Sequence, residues 1–284
     1  MSYQGITAKI PLGELGLVTD IAPDKQPPNS LIWAKNVCYF NGSIQKAPGT
    51  RKWNASALSA GVVAIHYWQP SLEISRMIAV TSDGSICKGR DREFGTAINT
   101  SLGTLNPNCV FAEGGKETAL SDRKLFLFTG GVTNPYVLQA DESSFGAITS
   151  PSPDWIIGNY PKFGLIHRGR LFAFAGQRYY ASTTSSHEDF TTSGYLADAI
   201  YPGEGGELRG GYVFKGRLFA FKDGGFVYMF DDSDADSDNW VWNKVASNFG
   251  LSAPNACVEV INDMYAGNTT GTITSYAATQ KLGD

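Results

Sequence analysis

The sequence predicts an all-β fold, a β-propeller of six blades with five to seven allowed. Three observations carry that expectation. An apolar segment recurs about every 47 residues. Each copy is followed by a glycine turn and a second β-prone run. Glycine makes up 32 of the 284 residues, more than average usage supplies, so the chain turns often.

The repeat is clearest in Gly169-Arg170-Leu171-Phe172-Ala173-Phe174, which returns as Gly216-Arg217-Leu218-Phe219-Ala220-Phe221. Upstream, Arg123-Lys124-Leu125-Phe126-Leu127-Phe128 has the same pattern, with a looser copy at Ser75-Arg76-Met77-Ile78-Ala79-Val80. Downstream, Asn262-Asp263-Met264-Tyr265-Ala266-Gly267 is another loose copy. Glycine turns then lead from Gly84 to Ile86-Cys87, from Gly130-Gly131 to Tyr136-Val137-Leu138, and from Gly176 to Tyr179-Tyr180. The last two copies run from Gly224-Gly225 to Phe226-Val227-Tyr228 and from Gly271 to Thr272-Ile273-Thr274. Ahead of several copies lies a further run: Gly164-Leu165-Ile166-His167, Gly211-Tyr212-Val213-Phe214 and Ala256-Cys257-Val258-Glu259-Val260. The unit is therefore strand, tight turn, strand, glycine turn, strand. Turns this short join only antiparallel neighbours.

At the N-terminal end, Asn36-Val37-Cys38-Tyr39-Phe40-Asn41-Gly42-Ser43-Ile44 reads as another hairpin, since Asn41-Gly42 tolerates positive φ at both positions. That makes six hairpins. A small meander cannot bury both faces of its sheet alone, whereas sheets packed face to face around an axis can. The competing architecture is a β-sandwich of unrelated hairpins. Helix content is expected to be low. The predicted organisation is an arm or closing strand over 1–30 and one propeller domain over 31–284. Ile6 to Ile10 is expected to pair with the last blade, the alternative being that residues 1–30 form an arm that docks on a neighbour, and the Pro-rich stretch 22–28 is a connector.

The formal net charge of −4 provides no basic field to hold phosphates, which excludes a dedicated DNA-coating protein. No signal peptide is visible at the start, and no apolar run is long enough for a membrane helix. Cys38, Cys87, Cys109 and Cys257 are far apart, with no CxxC pair, and read as small buried apolar residues.

The candidate chemistry is sparse. Asp231-Asp232-Ser233-Asp234-Ala235-Asp236-Ser237-Asp238 starts like a calcium loop at Asp232, Asp234 and Asp236. Ser237 stands where the glycine should be and Asn243 where the closing Glu should be, so a solvated hairpin tip is expected. His66 and His167 fall within β-prone runs as core or interblade residues, and His187-Glu188-Asp189-Phe190 reads as a polar loop turn. The stretch 203–211 lacks the Gly-Lys-Ser/Thr ending of a phosphate loop and reads as flexible. Glu259 has no equivalent acid in the other copies. Thr81-Ser82-Asp83-Gly84 is a solitary turn rather than the repeated Ser-x-Asp-x-Gly-x-x-Trp of sialidases. No catalytic residue, cofactor-binding residue or metal ligand is assigned, and the expectation is a protein that is not an enzyme.

The residues Gly16-Leu17-Val18-Thr19-Asp20-Ile21-Ala22-Pro23, Pro27-Pro28-Asn29-Ser30-Leu31-Ile32-Trp33-Ala34-Lys35-Asn36-Val37 and Phe40-Asn41-Gly42-Ser43-Ile44-Gln45-Lys46-Ala47-Pro48-Gly49 resemble a family of bacteriophage virion proteins. So do Tyr160-Pro161-Lys162-Phe163-Gly164-Leu165-Ile166-His167-Arg168-Gly169 and Tyr180-Ala181-Ser182 with His187-Glu188-Asp189-Phe190. They look like the propeller-bearing tail proteins of short-tailed phages, of the nozzle and DNA-stabilisation type, although this chain is shorter than many nozzle proteins. The resemblance implies a non-enzymatic virion protein of the tail, made in the bacterial host cytoplasm. It would contribute to tail assembly and to genome retention or passage as a homo-oligomeric ring. Its implied partners are other tail or portal-adaptor proteins, with genomic DNA as transient cargo and no membrane span. The alternative function is a glycan-binding propeller used in host attachment, with Trp33, Trp53, Trp68, Trp155, Trp240 and Trp242 as candidate sugar platforms. These tryptophans do not follow the repeat, which favours interblade packing.

Overall fold

The computed structural model describes residues 25, 37–40, 43–46, 56–71, 74–90, 93–99, 102–105, 108–114, 123–139 and 145–282. The chain divides into two units, Met1–Trp53 and Asn54–Asp284. In the first unit, strands β1 (Val37–Phe40) and β2 (Ser43–Lys46) pair antiparallel with Phe40 opposite Ser43, the two-residue hairpin that Asn41-Gly42 predicts. The expected pairing of Ile6 to Ile10 lies outside the described residues.

The second unit is a β-propeller of five small sheets, within the range the repeat allowed. Blade 1 comprises β3 (Val62–Trp68), β4 (Arg76–Thr81), β5 (Ile86–Arg90) and β6 (Glu93–Asn99). Blade 2 comprises β7 (Val110–Gly114), β8 (Lys124–Phe128), β9 (Tyr136–Gln139) and β10 (Phe145–Ala147). Blade 3 has β11 (Phe163–His167), β12 (Arg170–Ala175), β13 (Arg178–Ala181) and β14 (Leu196–Ala199). In blade 4 are β15 (Leu208–Phe214), β16 (Arg217–Lys222), β17 (Val227–Asp231) and β18 (Val241–Ala246). Blade 5 has three strands, β19 (Cys257–Val260), β20 (Asp263–Gly267) and β21 (Ile273–Ser275), and leads into the helix α1 (Tyr276–Leu282). Each sheet is an antiparallel meander in chain order.

The tight turns between first and second strands have a common backbone cause. Arg168-Gly169, Lys215-Gly216 and Ile261-Asn262 all have positive φ at both central positions. That conformation matches the right-handed twist of the flanking strands. Glycine takes it freely; Ile261, at φ 44, does not.

The second strands read as continuous apolar runs because both faces are buried. In β8, Leu125 and Leu127 pack with Trp68, Ile78 and Val80 of blade 1, while Phe126 and Phe128 pack towards blade 3. In β16 the alternation repeats: Leu218 and Ala220 join the core shared with blade 3, and Phe219 and Phe221 join Met264 and Ala266 of blade 5. Glycine allows close approach at the first strands. Gly164 of β11 lies directly under the ring of Phe128.

Two expectations are corrected. The stretch 203–211 is not a flexible loop: Leu208 to Gly211 belong to β15, and the turn before it is pinned by Lys222. The Nζ of Lys222, fully buried, donates to the carbonyls of Tyr201 at 2.8 Å and Glu204 at 2.6 Å. The acidic run is also not wholly a solvated tip, because Asp232 is buried.

Candidate functional site

The first strands of the blades face one another around the axis, and a cleft of about 280 Å³ opens among them. Val63, Ile65 and His66 of β3, Cys109 and Phe111 beside and on β7, and Asn255 ahead of β19 line it. His66 stacks on Phe111, with ring centroids 5.1 Å apart, and its Nε2 lies 2.8 Å from Oε1 of Glu113. Both partners of that pair are partly exposed, so it is a polar mark at the cleft and contributes little stability. Cys109 is buried and its thiol is pushed up to about 11, which keeps it protonated and a poor nucleophile at neutral pH. The thiol of Cys257 is likewise raised by burial, to about 12.

A second cluster lies around the turn His167 to Arg170, which joins the first and second strands of blade 3. His167, predicted as a core or interblade residue, is buried at the end of β11 and reaches across to blade 4. Its Nε2 lies 2.7 Å from Oδ2 of Asp232, and Nε of Arg168 donates to the same oxygen at 2.9 Å. Burial keeps the His167 ring neutral to lower pH than usual, outweighing Asp232, whose charge Arg168 already offsets. Arg170 donates to the carbonyls of Ser182 at 2.7 Å and Gly194 at 2.6 Å, anchoring the long loop between β13 and β14.

That loop carries His187 and Glu188, which the sequence presented as a polar turn. Both are buried. Nε2 of His187 donates to the Gly169 carbonyl at 3.0 Å, while the ring meets Phe126 of blade 2 edge-on. Oε1 of Glu188 accepts from Nζ of Lys124 at 2.5 Å and from Nε2 of Gln139, and Oε2 accepts from the backbone N–H of Thr149. Burial opposes ionisation of Glu188, but the Lys124 ammonium and these donors overcome it, so its pKa falls below the usual carboxylate value.

The calcium-like spacing does not converge on one point. Asp232 belongs to His167 and Arg168, while Asp234 and Asp236 accept from the backbone N–H groups of Asp236 and Asp238 and shape the 3-10 turn at Ser237–Asn239. Among the described residues no group of three or more His, Cys, Asp or Glu is placed to hold a metal ion. Glu259 is exposed on β19. Of the described tryptophans, Trp68, Trp155 and Trp242 are buried, and the partly buried Trp240 packs against the core that holds Trp155 and Trp242. Trp33 and Trp53 lie outside the described residues.

Sequence reasoning missed the partners across blades. For Lys124 alone a signal was available, since a cation at the start of an otherwise apolar strand calls for an acceptor; Arg170 and Arg217, at the same position of the repeat, bond within their own blades.

No protein-family model matches the sequence, and no curated protein matches it. Solved structures do match. The extracellular domain of BT3049 from B. thetaiotaomicron, described as a hybrid two component system, aligns with a TM-score of 0.50 at 12% identity. The alignment covers 82% of this chain and 29% of that one. The extracellular domain of BT4673 from the same organism, described as a one component system, aligns with a TM-score of 0.51 at 10% identity, covering 88% of this chain and 33% of that one. This chain thus spans about a third of the solved chains it resembles. At such identity the likeness shows the propeller fold alone. Among the described residues no helix is long and apolar enough to cross a membrane.

Proposed function

We propose that this chain is a non-enzymatic structural protein of a bacteriophage tail, working in tail assembly and in genome retention or passage. The resemblance of residues 16–49 and 160–190 to short-tailed phage tail proteins supports the reading, as does a rigid fold with polar clasps between its blades. One structural observation carries it. Five of the exposed large apolar side chains lie on the first strands of blades 1 and 5. Val62, Ile65 and Tyr67 of β3 and Val258 and Val260 of β19 are exposed, and apolar side chains grouped in this way suit a surface that a partner covers. Further copies of this chain, in the ring the resemblance implies, are the proposed cover.

Mass spectrometry and cryo-electron microscopy of purified virions test the proposal. The expected result is a ring of propellers on the tail axis. If the chain is missing from the particles, the assembly reading fails. The passage role has a separate test: with a net charge of −4, the isolated protein should show no strong salt-dependent affinity for duplex DNA.

A further inference from the structure

In each antiparallel blade the turn between the second and third strands lies at the same end as the linker that leads into the next blade. Turn and linker are bonded to each other there. The N–H of Leu105 donates to the carbonyl of Ser82, that of Ile200 to Gln177 and that of Phe249 to Gly225, each at 2.9 Å. Four of the exposed large apolar side chains lie at this end of blades 2 to 4. They are Val132 in the β8–β9 turn, Ile156 and Ile157 in the linker between β10 and β11, and Tyr201 in the linker between β14 and β15. Gly131 lies against Tyr160 and Lys162, which brings the Val132 turn up to the linker that carries the isoleucines.

The two isoleucines sit on a fixed tip. Trp155, just before them, is buried, with its ring 4.6 Å from Phe190 and edge-on to Tyr180 at 5.6 Å. The N–H of Trp155 donates to the Ser152 carbonyl at 3.0 Å and that of Asn159 to the Ile156 carbonyl at 2.8 Å. Nδ2 of Asn159 donates to the Asp154 carbonyl at 2.9 Å, and Gly158 supplies the positive φ that closes the tip. Ile156 is thus held 63% exposed and Ile157 90% exposed, and a tip already ordered loses little freedom when covered.

We propose that this tip is a self-association surface: the Ile156–Ile157 ridge of one copy packs on Val132 and Tyr160 of a second copy, and the reverse contact forms about the same two-fold axis.

Charge selects a second copy as the occupant. At this end Lys162 pairs with Glu207, Arg209 with Asp223 and Lys244 with Glu204. Asp154, the acid nearest the tip, accepts from the Tyr180 hydroxyl, and the Arg178 guanidinium lies over the same ring. A face whose charges are matched within the chain meets its own copy without strong repulsion, and offers little to a highly charged partner. The opposite end does not suit such a contact. Its loop between β17 and β18 follows Asp231 with Asp232, Asp234, Asp236 and Asp238, and a two-fold axis there would set this run against itself. The pairing does not rest on the tail reading and uses none of the exposed residues of β3 and β19. A ring whose copies all point one way parts these ends, so the pair is a state of the unassembled chain.

Sedimentation velocity of the full chain at about 1 to 200 μM tests the pairing, a span that brackets weak apolar contacts. The expected result is a reversible monomer–dimer equilibrium that persists in about 0.5 M salt, where exposed charges are screened. Ile157→Asp should raise the dimer dissociation constant at least about thirtyfold, because the carboxylate is covered twice across the axis. Exposed as it is, Ile157 can be replaced without loss of the fold, which circular dichroism checks. Ile261→Asp, at the opposite end, should leave the equilibrium unchanged. A chain that stays monomeric at the highest concentration, a dimer that salt dissolves, or one that Ile157→Asp leaves intact overturns the proposal. Association broken by Ile65→Asp on β3 but not by Ile157→Asp also overturns it, while leaving the tail ring standing.

Discussion

Substituting Gly164 by alanine tests the packing argument at the joint between blades 2 and 3. A Cβ built on Gly164 would stand 2.7 Å from Cε1 of Phe128, and closer still to Cζ and Cε2. Carbon atoms pack at about 3.5–4.0 Å, so the overlap is about 1 Å at Cε1 and larger at the other two atoms of a rigid ring. Phe128 is fully buried among Phe126, Phe163 and their neighbours, which leaves it nowhere to turn. Overpacking a core costs about 1–3 kcal/mol, and the rigid ring puts Gly164→Ala at the top of that range. For a unit of this size, about 3 kcal/mol corresponds to a Tm loss of about 6–12 °C. Phe128→Ala alone should cost about 3–5 kcal/mol through the cavity it leaves. In the double variant the added methyl enters that cavity, so the two losses should fall short of their sum by about 1–3 kcal/mol. Urea unfolding followed by tryptophan fluorescence measures all four proteins. Losses that add to within about 0.5 kcal/mol, or a Gly164→Ala variant within about 2 °C of the parent, refute the close approach.

Three further predictions follow from single residues. Asp232→Ala should destabilise by about 1–3 kcal/mol because it leaves the buried His167 ring without its partner, whereas Asp234→Ala on the exposed turn should cost less than about 1 kcal/mol; equal losses by urea unfolding would remove the distinction. Glu188 has its pKa lowered below the ordinary 4.5 by Lys124, so its contribution is present above that pH and is lost as pH falls through the folded value. Glu188→Gln should accordingly flatten the acid limb of a stability–pH curve, and an unchanged limb would contradict this. Ile261→Asn should raise stability by about 1 kcal/mol, since Ile261 is 91% exposed yet held at φ 44; a lower Tm would show that the side chain is used elsewhere.

The propeller was legible because its causes are local. Runs such as Leu171-Phe172-Ala173-Phe174 alternate apolar side chains onto two buried faces, and Arg168-Gly169 and Lys215-Gly216 specify their own turns. The fourth strands were harder to see. Phe145–Ala147 and Leu196–Ala199 are three and four residues long and half exposed, so they carry no periodic signal. The polar clasps between blades were illegible for another reason. Lys124 and Glu188 are 64 residues apart, and His167 and Asp232 are 65 apart. Nothing in His187-Glu188-Asp189-Phe190 says that this polar loop is covered by a neighbouring blade. The acidic run failed similarly: five aspartates look equivalent in sequence, but only the position of blade 3 makes Asp232 different.

The apolar seams are unevenly distributed around the propeller. Among the described residues, buried clusters unite blades 1 and 2, then blades 2, 3 and 4, then blades 4 and 5, and none unites blade 5 with blade 1. The strands β8 and β16 each feed one face into two of these clusters, whereas all the apolar side chains of β12 from Leu171 to Phe174 belong to one. A change of volume on β8 or β16 is therefore felt at two seams at once, and one on β12 stays within a single seam.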